Sequence, residues 1–305
     1  MLSTTEDATG WGGAGTHVGM LRATLSDVIA HFEGKTAAML QRYGPGPRIH
    51  YHAGLIDDLP HPSWSATLLR QQLVAAQERS LSRAAELWDA SSRLCGDVLD
   101  VGCGLGGGAI FWAQQFGARV AAVTCVPSHV DLVAGFAAQA GVASRVQPLL
   151  CNASEMPGEN CFDSAVAVDS SCYLPRKRWF RRLALLLRPG GHVFIIDCFL
   201  VRPEYEGPFN QYWHTRIGTM DEYLIAARES GFRLVSVDDV SHRIVHFWTT
   251  TIALIQTESR DRELGAVEPV EVARIQASLR AHAFVREGLA NNGLRYCLMS
   301  FSKSG

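Results

Sequence analysis

The ten residues Val98-Leu99-Asp100-Val101-Gly102-Cys103-Gly104-Leu105-Gly106-Gly107 decide the reading of this chain. A short apolar strand runs into an acidic residue and a glycine-dense turn, and Gly108-Ala109-Ile110-Phe111-Trp112-Ala113-Gln114-Gln115-Phe116 continues as a helix. Without a Cβ, glycine lets such a turn take positive φ and lie against a ligand. The helix start offers unpaired N–H groups that favour polar or anionic ligand groups. Asp100, at the strand end, has little local structural purpose, which points to a ligand.

Outward from this stretch the chain alternates between strand and helix, which predicts a parallel sheet. Strands are expected at 98–101, 119–124, 145–150, 162–168, 192–197, 233–237 and 295–301. Pro148 places the third at an edge or an end, and the last is also expected at a sheet edge. Helices are expected at 130–140, 177–187 and 266–288, with Arg188-Pro189-Gly190-Gly191 as a tight turn.

Two cofactor classes fit a strand, a glycine turn and a helix. Gly102-x-Gly104-x-x-Gly107 satisfies the dinucleotide pattern, but no acidic residue closes the second strand to hold a ribose. The whole phrase V-L-D-V-G-C-G-x-G resembles the cofactor motif of Rossmann-like S-adenosylmethionine-dependent methyltransferases. L-R-P-G-G-H-V-F-I-I-D and Glu229-Ser230-Gly231-Phe232-Arg233 resemble later segments of that family. The resemblance implies a Rossmann-like, seven-stranded, mostly parallel sheet with helices on both faces over residues 94–305. Residues 1–93 form an N-terminal helical extension or cap, and a lid-like insert lies near 200–222.

The resemblance also implies S-adenosylmethionine as cofactor, held by Asp100 and by the turn at Gly102, Gly104 and Gly106. Val123-Thr124-Cys125-Val126-Pro127-Ser128-His129 stands where related enzymes read V-T-L-S-x-x-Q, which puts Thr124 and His129 at the ribose. His129 can donate from a ring nitrogen, or it is a surface residue at a helix start. Cys151-Asn152-Ala153 resembles a Gly-Asp-Ala turn at the adenine, with Asn152 supplying a carbonyl acceptor or capping the next turn. Asp169, at the end of the fourth strand, falls beside the transferred methyl group, as a proton acceptor, an electrostatic stabiliser or a cap.

The first hundred residues carry the clues to the acceptor. Residues 18–39 have helical periodicity, with Leu21, Leu25, Val28, Ile29 and Phe32 on one stripe. Such a stripe covers the active site or packs on a second subunit, and a homo-oligomer is expected. His50-Tyr51-His52-Ala53-Gly54 resembles the Y-H-x-H-x-G segment of geranyl diphosphate C-methyltransferases and of teleocidin-type prenyl-indole C-methyltransferases. The segment reads as a strand or a loop, and on a strand His50 and His52 would face one side; with no partner ligands nearby, no metal site is expected. His52 joins Asp169 as a candidate catalytic residue. Tyr51, Tyr173, Tyr212, Trp213 and Trp248 are the aromatic candidates for an apolar or cationic acceptor.

Composition narrows the class. The 305 residues are 47% hydrophobic, with 28 Lys and Arg against 30 Asp and Glu, so no positive field draws nucleic acid. No stretch is long enough to span a membrane, and Met1–Asp7 lacks the regions of a signal peptide. The eight cysteines are scattered, which suits a reducing, cytoplasmic setting. The expectation is methyl transfer to a small hydrophobic specialised metabolite, first to carbon of a prenyl or terpenoid group. O- or N-methylation of a hydrophobic small molecule, or a non-catalytic interaction module, are the alternatives.

Overall fold

A computed structural model describes residues 24–262 and 269–304. The seven strands are β1 Asp97–Val101, β2 Arg119–Thr124, β3 Val146–Leu150, β4 Phe162–Val168, β5 Leu187–Leu200, β6 Phe232–Asp239 and β7 Leu294–Lys303. They form one sheet of order β3-β2-β1-β4-β5-β7-β6, parallel except for β7, which runs antiparallel to both neighbours. Side chains alternate across it. Val98, Val166, Phe194 and Ile196 enter one core, while Leu99, Ala165, Val193 and Ile195 enter the other.

The helices are α1 Leu25–Tyr43, α2 Ala66–Trp88, α3 Ala90–Arg93, α4 Gly107–Phe116, α5 Pro127–Gln139, α6 Arg176–Leu186, α7 Glu206–Trp213, α8 Met220–Glu229, α9 Ser241–Arg262 and α10 Pro269–Ala290. The first starts at Leu25 because Thr24 and Asp27 form a capping box. Residues 18–23 of the expected helix, Leu21 among them, lie outside the described residues. The N-terminal extension joins the core through stacked Trp88 and Phe194, with ring centroids 4.8 Å apart.

Two expectations need correction. β7 is interior, and β6 is the edge. The run Tyr296 to Phe301 is buried at every position, as in a strand covered on both faces, whereas β6 leaves Leu234, Val235 and Val237 partly exposed. Residues 188–191 form no separate turn but an irregularity inside β5, where Phe162 pairs with Leu187 and Ser164 already pairs with His192. Of the two forms expected for the His-rich segment, it takes the loop, with the His50 and His52 rings 5.2 Å apart. Residues 241–262 form a helix that the sequence reading passed over. Its signal was Ile244, Phe247, Leu254 and Ile255, buried at helical spacing.

Candidate active site

A cavity of about 910 Å³ opens above the C-terminal ends of β1, β2, β4 and β5, where ligands bind in sheets of this kind. Its floor is the quoted stretch. Asp100 is 4% exposed and accepts the Ala109 N–H at the start of α4. Burial pushes its carboxyl up to about 7. Gly102, Gly104 and Gly106 have φ of 71°, 55° and 84°. A Cβ on Gly102 would come within 2.7 Å of Ser170, whereas one on Gly104 would meet nothing within 4 Å. The turn therefore backs onto protein at one glycine and onto open cavity at the next.

Beside this floor stand the other expected cofactor residues. The buried Thr124 hydroxyl accepts from the Val126 N–H, closing the turn after β2. Asn152 Oδ1 accepts from the Ser154 N–H at 3.0 Å, so its carbonyl holds the local turn, while Asn152 and Ala153 also line the cavity. His129 is not a surface residue. It is 1% exposed, and its Nε2 lies 2.9 Å from Thr36 Oγ1 on α1. Glu33, one turn earlier, accepts from the backbone and hydroxyl of Ser128 at the start of α5. α1 is thus tied across the cofactor end of the cavity.

Asp169 sits mid-cavity in the left-handed region, φ 46°, and accepts the Ala53 N–H at 2.9 Å. Burial and the Asp197 carboxylate hold it well above the usual carboxylate range. It does not cap the short helix Ser171–Tyr173. Asp197 does, accepting from the Ser171 hydroxyl and the Cys172 N–H.

The loop carrying His52 is pinned by Gln77, whose Nε2 donates to the His50 and His52 carbonyls. Gly54 packs so tightly on α2 that a Cβ would come within 2.5 Å of the Ala76 carbonyl carbon. His50 turns away to Glu78, 2.8 Å from Nε2 to Oε1. His52 Nδ1 lies 2.9 Å from the Ala53 carbonyl and must carry its proton there, which leaves Nε2 as the lone-pair nitrogen. That Nε2 is buried without a partner, and burial pulls the ring down to about 3.

The aromatic candidates converge. Tyr51, Tyr173, Tyr212, Trp213 and Trp248 all line the cavity, with Phe32 of α1 between Tyr51 and Tyr173. Trp213 and Trp248 lie 6.2 Å apart, and His282 of α10 stacks on Trp248 at 5.0 Å. Within residues 200–222, α7 contributes Phe209, Tyr212 and Trp213 to the cavity wall. Sequence reasoning missed His282, Asp197, Gln77, Lys35 and Arg42. Only Lys35 and Arg42 left a signal: they follow Val28 and Phe32 at helical spacing on the same face. Among the described residues, no three His, Cys, Asp or Glu side chains gather as metal ligands, and no helix is long and apolar enough to cross a membrane.

Residues 98–191 match a family model described as a methyltransferase domain. The fold agrees. A geranyl diphosphate C-methyltransferase from Streptomyces coelicolor A3(2), solved with Mg2+, geranyl-S-thiolodiphosphate and S-adenosyl-L-homocysteine, superposes with a TM-score of 0.76 at 18% identity, covering 92% of this chain and 99% of that one. An erythromycin 3''-O-methyltransferase from Saccharopolyspora erythraea is 30% identical over 191 residues, 56% of this chain and 62% of that enzyme. The polyketide synthase ThaQ of Burkholderia thailandensis is 26% identical over 215 residues, 68% of this chain and 9% of the synthase. The chain thus spans less than two thirds of either curated relative.

S-adenosylmethionine is the cofactor of this class, and the residues present fit it. The open space at Gly104 admits a ligand against the backbone, and buried Asp100 lacks the cation that would favour its charged form. Asp100, the turn at Gly102 to Gly106, Thr124, Asn152 and Ala153 would hold it.

Proposed function

We propose that this protein methylates a small hydrophobic specialised metabolite, at carbon of a prenyl or terpenoid group. The observation that carries the reading is the continuity of one cavity from the glycine turn to an aromatic wall, with His52 between them. The bound cofactor supplies an electrophilic methyl group. The chain's own task is to position the acceptor and exclude water; α1 and the Trp213, Trp248 and Tyr173 rings provide the cover. An alkene that gains a methyl becomes a carbocation, and aromatic faces stabilise it. His52 Nε2 then takes a proton from the adjacent carbon and restores the alkene. A ring held neutral suits this step, because the C–H beside a carbocation is acidic enough for a weak base. Asp169 positions that base by fixing the Ala53 N–H.

O-methylation is the second reading, favoured by the erythromycin enzyme among the relatives. There His52 would take the hydroxyl proton of the acceptor. Incubation with isotopically labelled S-adenosylmethionine and a panel of prenyl-indoles, prenyl phosphates and hydroxylated terpenoids tests both. A label on carbon by NMR is the expected result. A label on oxygen would replace the first reading with the second, and no labelled product from any member would remove both.

Of the apolar stripe, Leu25, Val28 and Phe32 line the cavity, which supports its role as a cover; Leu21 lies outside the described residues. Leu25, at the helix start, stays 48% exposed. We propose that α1 acts first as a cover of its own active site.

A further inference from the structure

Charge is divided along the cavity. Its floor carries Asp100, Asp169 and Asp197. Toward α1, α9 and α10 the cavity is lined by Lys35, Arg42 and Arg274 with Glu258 and Glu271, and beside Cys172 by Arg216. An acidic floor complements a cofactor whose sulfonium and ammonium are cationic. The basic end under α1 has no such role in cofactor binding and faces the acceptor.

Lys35 is the centre of that end. Its ammonium sits 4.8 Å from the Tyr212 ring centroid, and among the described residues no carboxylate lies within ion-pair distance of it. Arg42, two turns on, is 3.7 Å from a Glu258 carboxylate that Arg70 engages at 2.8 Å. One carboxylate therefore serves two guanidiniums, and Lys35 receives no share. The neighbouring rings feel this field: His31 and His282 are each pulled down to about 3, mainly by burial and further by Lys35. A protonated amine placed here would face the same repulsion, whereas an oxyanion would complete the ion pair that Lys35 lacks.

We infer that the acceptor carries an anionic oxygen group, such as a carboxylate, held by Lys35 beside the Tyr212 ring at the end of the cavity under α1. This rests on the reading of the cavity as a site for a prenyl-like acceptor. It adds to that reading a head group and a specificity-determining residue: the apolar tail points inward to the methyl group and the acid outward to α1.

The test uses three ten-carbon probes with the same tail, geranic acid, geraniol and geranylamine, titrated into the S-adenosyl-L-homocysteine-loaded protein by calorimetry. Geranic acid should bind at least about tenfold more tightly than the other two, the worth of one charge-assisted hydrogen bond. Lys35→Met, which keeps the apolar stem, should erase that advantage without weakening geraniol, and Lys35→Arg should restore most of it. Equal affinities for acid and alcohol, preference for the amine, or an acid preference that survives Lys35→Met would each overturn the inference while leaving the methyltransferase reading intact. If none of the probes binds while S-adenosyl-L-homocysteine still does, the prenyl-like acceptor reading fails and the head group with it. Melting temperature and S-adenosyl-L-homocysteine affinity establish that each variant is folded.

Discussion

At the scale of single residues, two carboxylates and one imidazole carry charges set by burial. Asp100 is raised to about 7, so near neutrality it is partly protonated. A cationic ligand ammonium favours the ionised form, so binding must expel that proton. S-adenosyl-L-homocysteine should therefore bind more tightly as pH rises from about 5.5 to 8, by up to about tenfold per unit below the folded pKa. Calorimetry in buffers of different ionisation enthalpy reads the proton release directly. Asp100→Asn should flatten the pH dependence, and a flat wild-type curve would contradict the assignment.

His52, pulled down to about 3, stays neutral across the working range. The rate of methyl transfer should show no inflection near pH 6.5 from this ring. His52→Ala should lower turnover by about 10²–10⁴-fold with cofactor affinity retained. Asp169→Asn keeps an oxygen for the Ala53 N–H. If the carboxylate acts only by positioning, this variant loses less activity than Asp169→Ala, and kinetics of the pair separate the roles. An Asp169→Asn variant that falls as far as His52→Ala would show that the charge itself takes part.

At the scale of elements, α1 decides access. Three contacts tie it down: Glu33 to Ser128, Thr36 to His129, and Arg42 to Glu258. Glu33→Ala removes the acceptor for the Ser128 N–H and hydroxyl at the start of α5. Combined with Thr36→Val, it should speed proteolysis within residues 25–43 and raise the acceptor KM more than the cofactor Kd. Unchanged proteolysis would mean that α1 is held by its apolar face alone. Gly107 supports the same cover from below, because a Cβ there would lie 2.5 Å from the Ile49 carbonyl oxygen and 2.6 Å from His50 Nδ1. Gly107→Ala should cost about 1–3 kcal/mol through overpacking, measurable as a lower urea midpoint at constant m.

At the scale of the molecule, the described residues before 94 share their packing with those after it. Trp88 lies on Phe194, both fully buried, and Gln77 holds the loop that reaches Asp169. A fragment of residues 94–305 would uncover Phe194 and the apolar side chains that α2 buries on that face of the sheet. It should aggregate or melt without cooperativity in calorimetry. A sharp, reversible transition would show that the C-terminal part folds by itself.

The strand pattern and the glycine turn were readable in the sequence because they are local. Asp100 with Gly102, Gly104 and Gly106 is a short-range backbone requirement, and alternating apolar segments specify a parallel sheet before any contact is known. Pro148 marked β3 as an edge for the same reason, since a missing N–H acts at its own position. Strand order was less accessible. The apolar run of β7 fits an edge or an interior until a partner is chosen, and pairing with both β5 and β6 put it inside. At the acceptor end the aromatic residues were legible as candidates, but the pairing of its charged groups was not. His52 finds Ala53 by chain neighbourhood, but Asp169 meets Ala53 from 116 positions away, and Arg42 meets Glu258 across the whole fold. Whether a lysine is paired depends on which carboxylates come near, and that is a distance in space. The sequence by itself determined the sheet and the cofactor. Tertiary structure alone decided the charge of the pocket, because long-range packing assigns each charged side chain its partner or leaves it without one.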